Sequence, residues 1–395
     1  MGVLRLALAL LVVYAHCVYP FGRFGVSGEN AVEIFYMISG FYMTLVLRDR
    51  YAGPGGAGVR SFYANRALRI FPAYLLVAGV TLFLCFFGKA WFGWEPQAAR
   101  YVAEWRQAGL LDAPKLLWLG FSQLSMVGLE SFNFFTLSNQ GELMLSAGVS
   151  ADAHELWRLL LVPQAWSLSV ELYFYALAPF IVTRGTRFIV GLAVASFALR
   201  VALWQWAGLN ADPWSYRFFP SELMFFLLGA VACRIYAGRQ DEGAQGVVHP
   251  YLPLVLAVMA VVAVAIGRLD MDFGPGDIVA PLVTAAAFLA LPTLFEKTRT
   301  NRIDRAVGEL SYPVYIAHVL IIWVVGQGTY DSSRGAFLLT AVLVLAAAVA
   351  LYRWVDRPID RWRHARTARQ RAMRESSPAD RCGAATTPRR TSASI

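Results

Sequence analysis

Long apolar stretches recur along the chain and alternate with shorter polar segments. A helix needs about 20 apolar residues to cross a bilayer. Stretches near that length occupy 3–20, 30–48, 70–88, 165–183, 186–206, 217–236, 251–267, 277–295, 309–328 and 335–354. Hydrophobic residues make up 57% of the chain and charged residues 15%, which is typical of a membrane protein. The pattern predicts an all-α, polytopic fold with about ten transmembrane helices.

The basic residues orient the predicted helices, because short loops rich in lysine and arginine stay in the cytoplasm. With both chain ends placed inside, 25 of the 35 basic residues fall on the inner side. The loop at 268–277 then lies outside and contains Asp270, Asp272 and Asp277. This asymmetry favours an N-in, C-in topology. It also accounts for the net charge of +9 without a nucleic-acid partner.

Two segments depart from the repeating pattern. Within a transmembrane domain at 1–358, residues 89–164 form a long outer connection. Its semi-apolar part, 115–130, fits a re-entrant or interfacial helix, because an eleventh span would place the later arginine-rich loops outside. Residues 359–395 form a basic tail that is predicted to be cytoplasmic and disordered. The tail acts as a topology anchor or contacts anionic lipid headgroups.

Two ionisable residues lie in the first apolar stretch. Arg5 and His16 are eleven residues apart, so a helix brings both onto one face, about 16 Å apart along its axis. Ionisable residues inside a membrane usually mark functional sites. In the predicted orientation Arg5 lies near the inner surface and His16 in the outer half of the membrane.

Two carboxylates are expected near the depth of His16. Glu33 lies at the outer start of the second stretch, and Glu171 in the outer half of the fourth. Ser39, about two turns deeper than Glu33, is either a nucleophile or part of a Ser-Gly packing site, and packing is the commoner role. The residues near His16 predict an outer site for proton transfer.

A pair of arginines predicts an anion site on the inner side. Arg66 and Arg69 are i,i+3 neighbours on a helix, so both guanidinium groups can face one anionic group. A phosphate-bearing donor entering from the cytoplasm fits this site, and acyl-coenzyme A is the donor we expect. The four cysteines lack metal-type spacing, so no metal or other cofactor is predicted.

Two further residues have alternative roles. His318 lies in the ninth stretch and serves either as a hydrogen-bonding partner between helices or as a substrate contact. Tyr173, two residues after Glu171, fits interface packing better than a platform for a sugar.

Six segments together resemble the successive motifs of the acyltransferase-3 family. They are Leu4-Arg5 with His16, EIFYMISGF at 33–41, RALRIFPAY at 66–74, WSLSVELYFY at 166–175, GELSYPVYIAH at 308–318 and YRWVDRP at 352–358. Each motif alone is weak, but their number and order are specific. The chain departs from the family pattern in having Glu33 where aspartate is common and Asp356 where glutamate is common.

The resemblance implies an integral-membrane O-acyltransferase of a bacterial inner membrane. Such enzymes move an acyl group, here expected to be acetyl, from acyl-CoA to a hydroxyl of a surface polysaccharide, lipopolysaccharide, oligosaccharide or similar acceptor. It also implies ten core helices and an essential Arg/His pair, matched by Arg5 and His16. The Arg66/Arg69 pair matches the family's donor-binding motif.

A direct transfer mechanism follows from these expectations. His16 is the predicted general base, and Glu171 or Glu33 is the predicted carboxylate that orients it. Because a thiolate leaves easily, an acyl-enzyme at Ser39 is not required. A polytopic transporter or flippase for a glycan or lipid intermediate is the alternative. The chain shows no internal repeat of the kind common in transporters.

Overall fold

A computed structural model describes residues 1–22, 26–50, 57–146, 154–209, 211–241, 275–330 and 333–363. Helices dominate this part of the chain. They are α1 (Gly2–His16), α2 (Gly28–Arg50), α3 (Ala57–Phe92), α4 (Gln97–Gln107), α5 (Ala113–Ser125), α6 (Trp166–Ile181), α7 (Thr186–Gln205), α8 (Phe219–Asp241), α9 (Pro275–Thr298), α10 (Arg302–Gly308), α11 (Ser311–Val325) and α12 (Arg334–Leu351). The predicted span at 251–267 and nearly all of the tail lie outside the described residues.

Several helices suit a membrane. Within the described residues, six are long and apolar enough to cross a bilayer: Gly28–Arg48, Gly58–Phe92, Thr186–Gln205, Phe219–Gln240, Arg302–Val325 and Arg334–Arg363. α1 is apolar but has only 15 residues. The apolar helices point to a membrane protein. The count of ten spans and the N-in, C-in orientation stay predictions.

The third predicted helix is much longer than its apolar core suggested. We expected it to start at 70, but α3 starts at Ala57 and contains Arg60, Arg66 and Arg69. Between Ala57 and Pro72 there is no other proline, and Pro72 itself lies inside the helix, so no proline ends the helix before the apolar stretch. The arginines are therefore held on a continuous helix and not in a loop.

The long connection packs as two helices and a small antiparallel sheet. Strand β1 (Phe135–Leu137) lies between β2 (Leu143–Leu145) and β3 (His154–Glu155). α5 starts at a cap in which the carboxylate of Asp112 accepts a hydrogen bond from the Lys115 backbone amide at 3.0 Å. With 13 residues it is too short to span a bilayer, so the structure disfavours an eleventh span at 115–130. The exposed side chains of Leu117, Phe121 and Leu124 suit an interfacial helix.

The bundle depends on a close crossing of α2 and α8. Gly40 on α2 and Gly229 on α8 let the two backbones approach, because a Cβ at either position would lie 1.9 Å from a carbonyl oxygen of the other helix. Beside the crossing, Phe226 of α8 stacks on Tyr36 at 4.5 Å and on Phe174 of α6 at 4.3 Å between ring centroids. Small residues therefore let α2 and α8 pack closely, and Phe226 joins α6 to this pair.

We predict that Gly229→Ala destabilises the protein. The added methyl group meets the Met37 carbonyl oxygen, so the helices must separate, at a cost of about 1–3 kcal/mol or more. The midpoint of thermal unfolding in detergent measures the loss. Gly79→Ala is the control: a Cβ there meets nothing within 4 Å, and alanine favours a helix over glycine. Equal midpoints for the two variants would contradict the close crossing.

Candidate functional site

The arginines that we predicted to bind the donor lie around one cavity of about 590 Å³. Arg5, Arg66 and Arg69 all line it, and we call it the arginine cavity. Sequence reasoning missed three more arginines in its wall and named only one of its acidic residues, Glu171. The charged lining residues are Arg5, Arg66, Arg69, Arg299, Arg305, Arg363, Glu171, Asp304, Glu309 and Asp360. Six arginines against four carboxylates leave an excess of two positive charges in the wall.

The arginines in this wall differ in how their charge is balanced. Arg69 forms ion pairs with Glu309 and, at 3.3 Å, with Asp360. Neither Arg5 nor Arg66 forms a hydrogen bond or ion pair with another described residue, and Nε of Arg66 is buried without a partner. A buried guanidinium group is costly unless an anion compensates it. Arg5 and Arg66 are therefore available to an anionic ligand, whereas the charge of Arg69 is already balanced by two carboxylates. The expected donor-binding role of Arg69 beside Arg66 stays a prediction.

Glu171 belongs to the arginine cavity. Its carboxylate accepts hydrogen bonds from the hydroxyls of Ser39 and Tyr175, and all three residues line the wall. We expected Glu171 at the depth of His16, but α6 turns it towards the arginines. Ser39 faces the cavity while its neighbour Gly40 makes the helix crossing, so the predicted Ser-Gly packing site is divided between two faces of α2.

A second cavity, of about 440 Å³, contains His16 and is called the histidine cavity here. The long connection supplies much of its wall. The lining residues from that connection are Asn133, Phe135, Thr136, Ser146, Glu155, Trp157, Pro163 and Gln164. Carboxylates, amides and aromatic rings thus converge on His16, which is the usual make-up of a site that orients a polar ligand.

The His16 ring is oriented by the backbone. Its Nδ1 lies 2.9 Å from the carbonyl oxygen of Val12. A carbonyl only accepts hydrogen bonds, so Nδ1 donates, and Nε2 of the neutral ring has a free lone pair. We expected a carboxylate, Glu171 or Glu33, to select the tautomer. Among the described residues neither of them bonds His16, and the Val12 carbonyl selects it instead.

His318 lies beside His16. The two rings meet edge to face with centroids 4.8 Å apart. His318 is fully buried, and its Nδ1 lies 2.6 Å from the Tyr315 carbonyl oxygen, while Nε2 has no described partner. The sequence left open whether His318 bonds another helix or a substrate. The pairing of α1 and α11 places it against the predicted base.

Glu33 is held in a buried charge cluster. Arg200 of α7 forms ion pairs with Glu33 at 3.0 Å and with Glu222 of α8 at 2.7 Å. Glu222 is fully buried and Glu33 nearly so. This arrangement links α2, α7 and α8 and differs from the expected contact with His16. Sequence reasoning missed this cluster. The signal that could have found it is Arg200 itself, because an arginine inside an apolar stretch indicates acidic partners on neighbouring helices.

A second partly buried arginine, Arg217, lines the histidine cavity. Arg217 forms a bidentate ion pair with Asp212, both distances being 2.6 Å, and its guanidinium lies 4.4 Å from the Trp166 ring centroid. Burial alone would lower the pKa of Arg217, but the Asp212 carboxylate outweighs this and the pKa is raised. Arg217 therefore stays charged and holds Trp166 in the wall.

Tyr173 ties the long connection to α6. Its hydroxyl donates to the Glu130 carboxylate at 2.8 Å and accepts from the Gly128 amide at 3.0 Å. Ser169, one turn earlier, also donates to Glu130. The WSLSVELYFY motif thus has two roles. Ser169 and Tyr173 hold the connection, while Glu171 and Tyr175 face the arginine cavity.

The two cavities meet at one wall. Val32 of α2 and Tyr315 of α11 line both of them. A ligand bound by Arg5 and Arg66 and a ligand beside His16 would therefore approach each other across two side chains. The geometry suits a reaction between two substrates that enter by different cavities.

The sequence comparison identifies the class of protein. The acyltransferase-3 family model, described as an acyltransferase domain, matches residues 1–353. The chain belongs to the acyltransferase-3 family. An uncharacterized protein of Aquifex aeolicus (strain VF5) is 27% identical over 170 residues, which are 41% of this chain and 71% of that protein. No solved structure matches the chain. Family membership and the apolar helices together identify a membrane acyltransferase.

We predict that Arg200→Gln destabilises this acyltransferase strongly. The substitution leaves Glu33 and Glu222 buried without a cation, which costs about 3–5 kcal/mol. Thermal unfolding in detergent measures the effect. Arg187→Gln, an exposed position on the same helix, is the control and should change stability by about 0.5 kcal/mol at most. The cluster would have no structural role if both variants unfolded at the same temperature.

Proposed function

We propose that this protein transfers an acyl group, acetyl in the simplest case, from acyl-CoA to a hydroxyl of a glycan or similar acceptor. The observation that carries the proposal is the pair of cavities that share the wall of Val32 and Tyr315. One cavity contains unpaired arginines, and the other contains a histidine whose Nε2 is free to accept a proton.

The arginine cavity is the proposed donor site. Arg5 and Arg66 would bind the phosphates of acyl-CoA through charge-assisted hydrogen bonds. Arg69 positions the site through Glu309 and Asp360, since these carboxylates already balance its charge. The pantetheine arm would extend along the cavity towards Tyr315. The excess of basic residues on this side of the predicted topology supports entry from the cytoplasm of a bacterial cell.

The histidine cavity is the proposed acceptor site. Its carboxylates and amides can bind sugar hydroxyls, and Trp157 and Trp166 offer apolar faces to a sugar ring. Because the long connection supplies much of the wall, we propose that 89–164 selects the acceptor.

The proposed reaction is a direct transfer. His16 Nε2 takes the proton of the acceptor hydroxyl while its oxygen attacks the thioester carbonyl carbon. The new C–O bond forms, the C–S bond breaks, and the proton leaves with the CoA thiolate as the free thiol. Neither Glu171 nor Glu33 takes part as a partner of His16 in this scheme. Glu171 instead holds Ser39 and Tyr175 in the donor site.

Purified protein in detergent with labelled acetyl-CoA and candidate glycan acceptors tests the proposal. We expect acceptor-dependent release of free CoA and label on the acceptor. The transporter alternative requires no thioester consumption, so a folded protein that binds acceptors but never releases CoA would favour it. Mass spectrometry of surface glycans from cells with and without the gene would identify the acceptor.

We predict that His16→Ala lowers kcat by about 10²- to 10⁴-fold, the usual contribution of a general base. Affinity for acyl-CoA and the unfolding midpoint should be nearly unchanged, because the ring lies in the other cavity. Steady-state kinetics of CoA release measure the effect. His154→Ala is the matched control, since His154 packs on Trp105 and lines neither cavity. Full activity in His16→Ala would show that His16 is not the general base.

We predict that Arg66→Gln raises the Kd for acyl-CoA roughly 10- to 100-fold, because a charge-assisted hydrogen bond is lost. Titration of the purified variant with acyl-CoA measures this change. Arg60→Gln is the control, an exposed arginine on the same helix outside both cavities. An unaltered Kd in a variant that combines Arg5→Gln and Arg66→Gln would exclude the arginine cavity as the donor site.

A further inference from the structure

The wall between the cavities is thin. Val32 and Tyr315 are both buried, yet each contributes surface to the arginine cavity and to the histidine cavity. Among the described residues no other side chain lines both. The Tyr315 ring is the larger of the two, and it lies edge-on to Phe35 at 6.2 Å and near His318 at 5.7 Å between centroids.

Hydrogen bonds hold the Tyr315 ring in this wall. Its hydroxyl lies 2.6 Å from the Ser167 hydroxyl and 3.1 Å from the Gln164 carbonyl oxygen, to which it can donate. The Gln164 side chain donates in turn to the Ile316 carbonyl at 2.7 Å. These bonds join α11 to the start of α6, and all of them are buried. Rotation of the ring out of the wall must therefore break bonds that connect two helices.

A wall at this position has a chemical purpose if the arginine cavity holds a thioester. The histidine cavity is polar and large enough for several water molecules, and His16 would activate water as readily as an acceptor hydroxyl. Transferases therefore need to keep water from the reactive carbonyl until the acceptor is bound.

We propose that Tyr315, held by Ser167 and Gln164, is the partition that directs the acyl group to the acceptor and prevents hydrolysis. The ring separates the thioester from water in the histidine cavity and moves aside when an acceptor occupies that cavity. This inference rests on the proposed function. Tyr315 acts as a specificity residue, because it decides which oxygen nucleophile reaches the carbonyl carbon.

The side reaction that the partition prevents is simple hydrolysis. A water oxygen attacks the thioester carbonyl, a C–O bond forms and the C–S bond breaks. The products are a carboxylic acid and free CoA, and the proton lost by water passes through His16 to the thiolate. Water is the only co-reactant.

The test measures CoA release from acetyl-CoA by the purified full-length protein without any acceptor. Tyr315→Ala opens the wall, so we expect hydrolysis to rise about tenfold or more while transfer to acceptor falls. Tyr315→Phe keeps the ring but loses the bonds to Ser167 and Gln164, so its hydrolysis should lie between that of the unmodified protein and that of Tyr315→Ala. Ile322→Ala, on the same helix but outside both cavities, controls for lost packing and should not raise hydrolysis.

The outcomes separate the two proposals. If the unmodified protein binds no acyl-CoA, or transfers no acyl group to an acceptor, the proposed function itself is wrong. If the unmodified protein transfers, and folded Tyr315→Ala saturated with acetyl-CoA shows no added hydrolysis, the partition is wrong. Tyr315→Leu replaces the alanine variant if that variant does not fold, since leucine removes the ring and its hydroxyl but keeps some packing, and it should also raise hydrolysis. Loss of the extra hydrolysis on adding His16→Ala would support the route through the histidine cavity.

Discussion

The packing of the helices and the character of the arginine cavity both depend on how buried charges are balanced. A guanidinium or carboxylate among apolar helices is costly unless an opposite charge or hydrogen bonds compensate it. Arg200 is balanced by Glu33 and Glu222, and the pairing holds three helices together. Arg5 and Arg66 line a cavity without such partners. Their uncompensated charge is the reason why we propose an anionic substrate for that cavity.

The proposed reaction also requires that two substrates meet while water is excluded from the thioester. In the described part of the chain, the helices and the long connection enclose two cavities that share only Val32 and Tyr315. The proposed donor binds by charge on one side. The proposed acceptor meets His16 on the other, where the Val12 carbonyl leaves Nε2 free. In the proposed mechanism, most of the rate enhancement comes from positioning the substrates and excluding water, with His16 as the single base.

Much of the fold could be predicted from sequence, because apolar stretches of membrane length are visible without any tertiary information. Helices cover most residues of nine predicted spans, and the remaining span, 251–267, lies outside the described residues. The predicted start of α3 was wrong by more than three turns, because its first residues include three arginines and form no apolar stretch. Motifs identified the family, and the family model confirmed it. They did not reveal which motif residues face a cavity.

The sequence by itself determined the class of protein, the apolar helices and the ionisable residues they carry. Only the tertiary structure decided which charges are paired. Glu33 and Arg200 are 167 positions apart, and Glu171 and Ser39 are 132 apart. Such contacts depend on which helices are neighbours and how each is rotated about its axis, which local periodicity does not specify. For that reason both predicted carboxylate partners of His16 proved to lie elsewhere, and His318 packs against its ring instead.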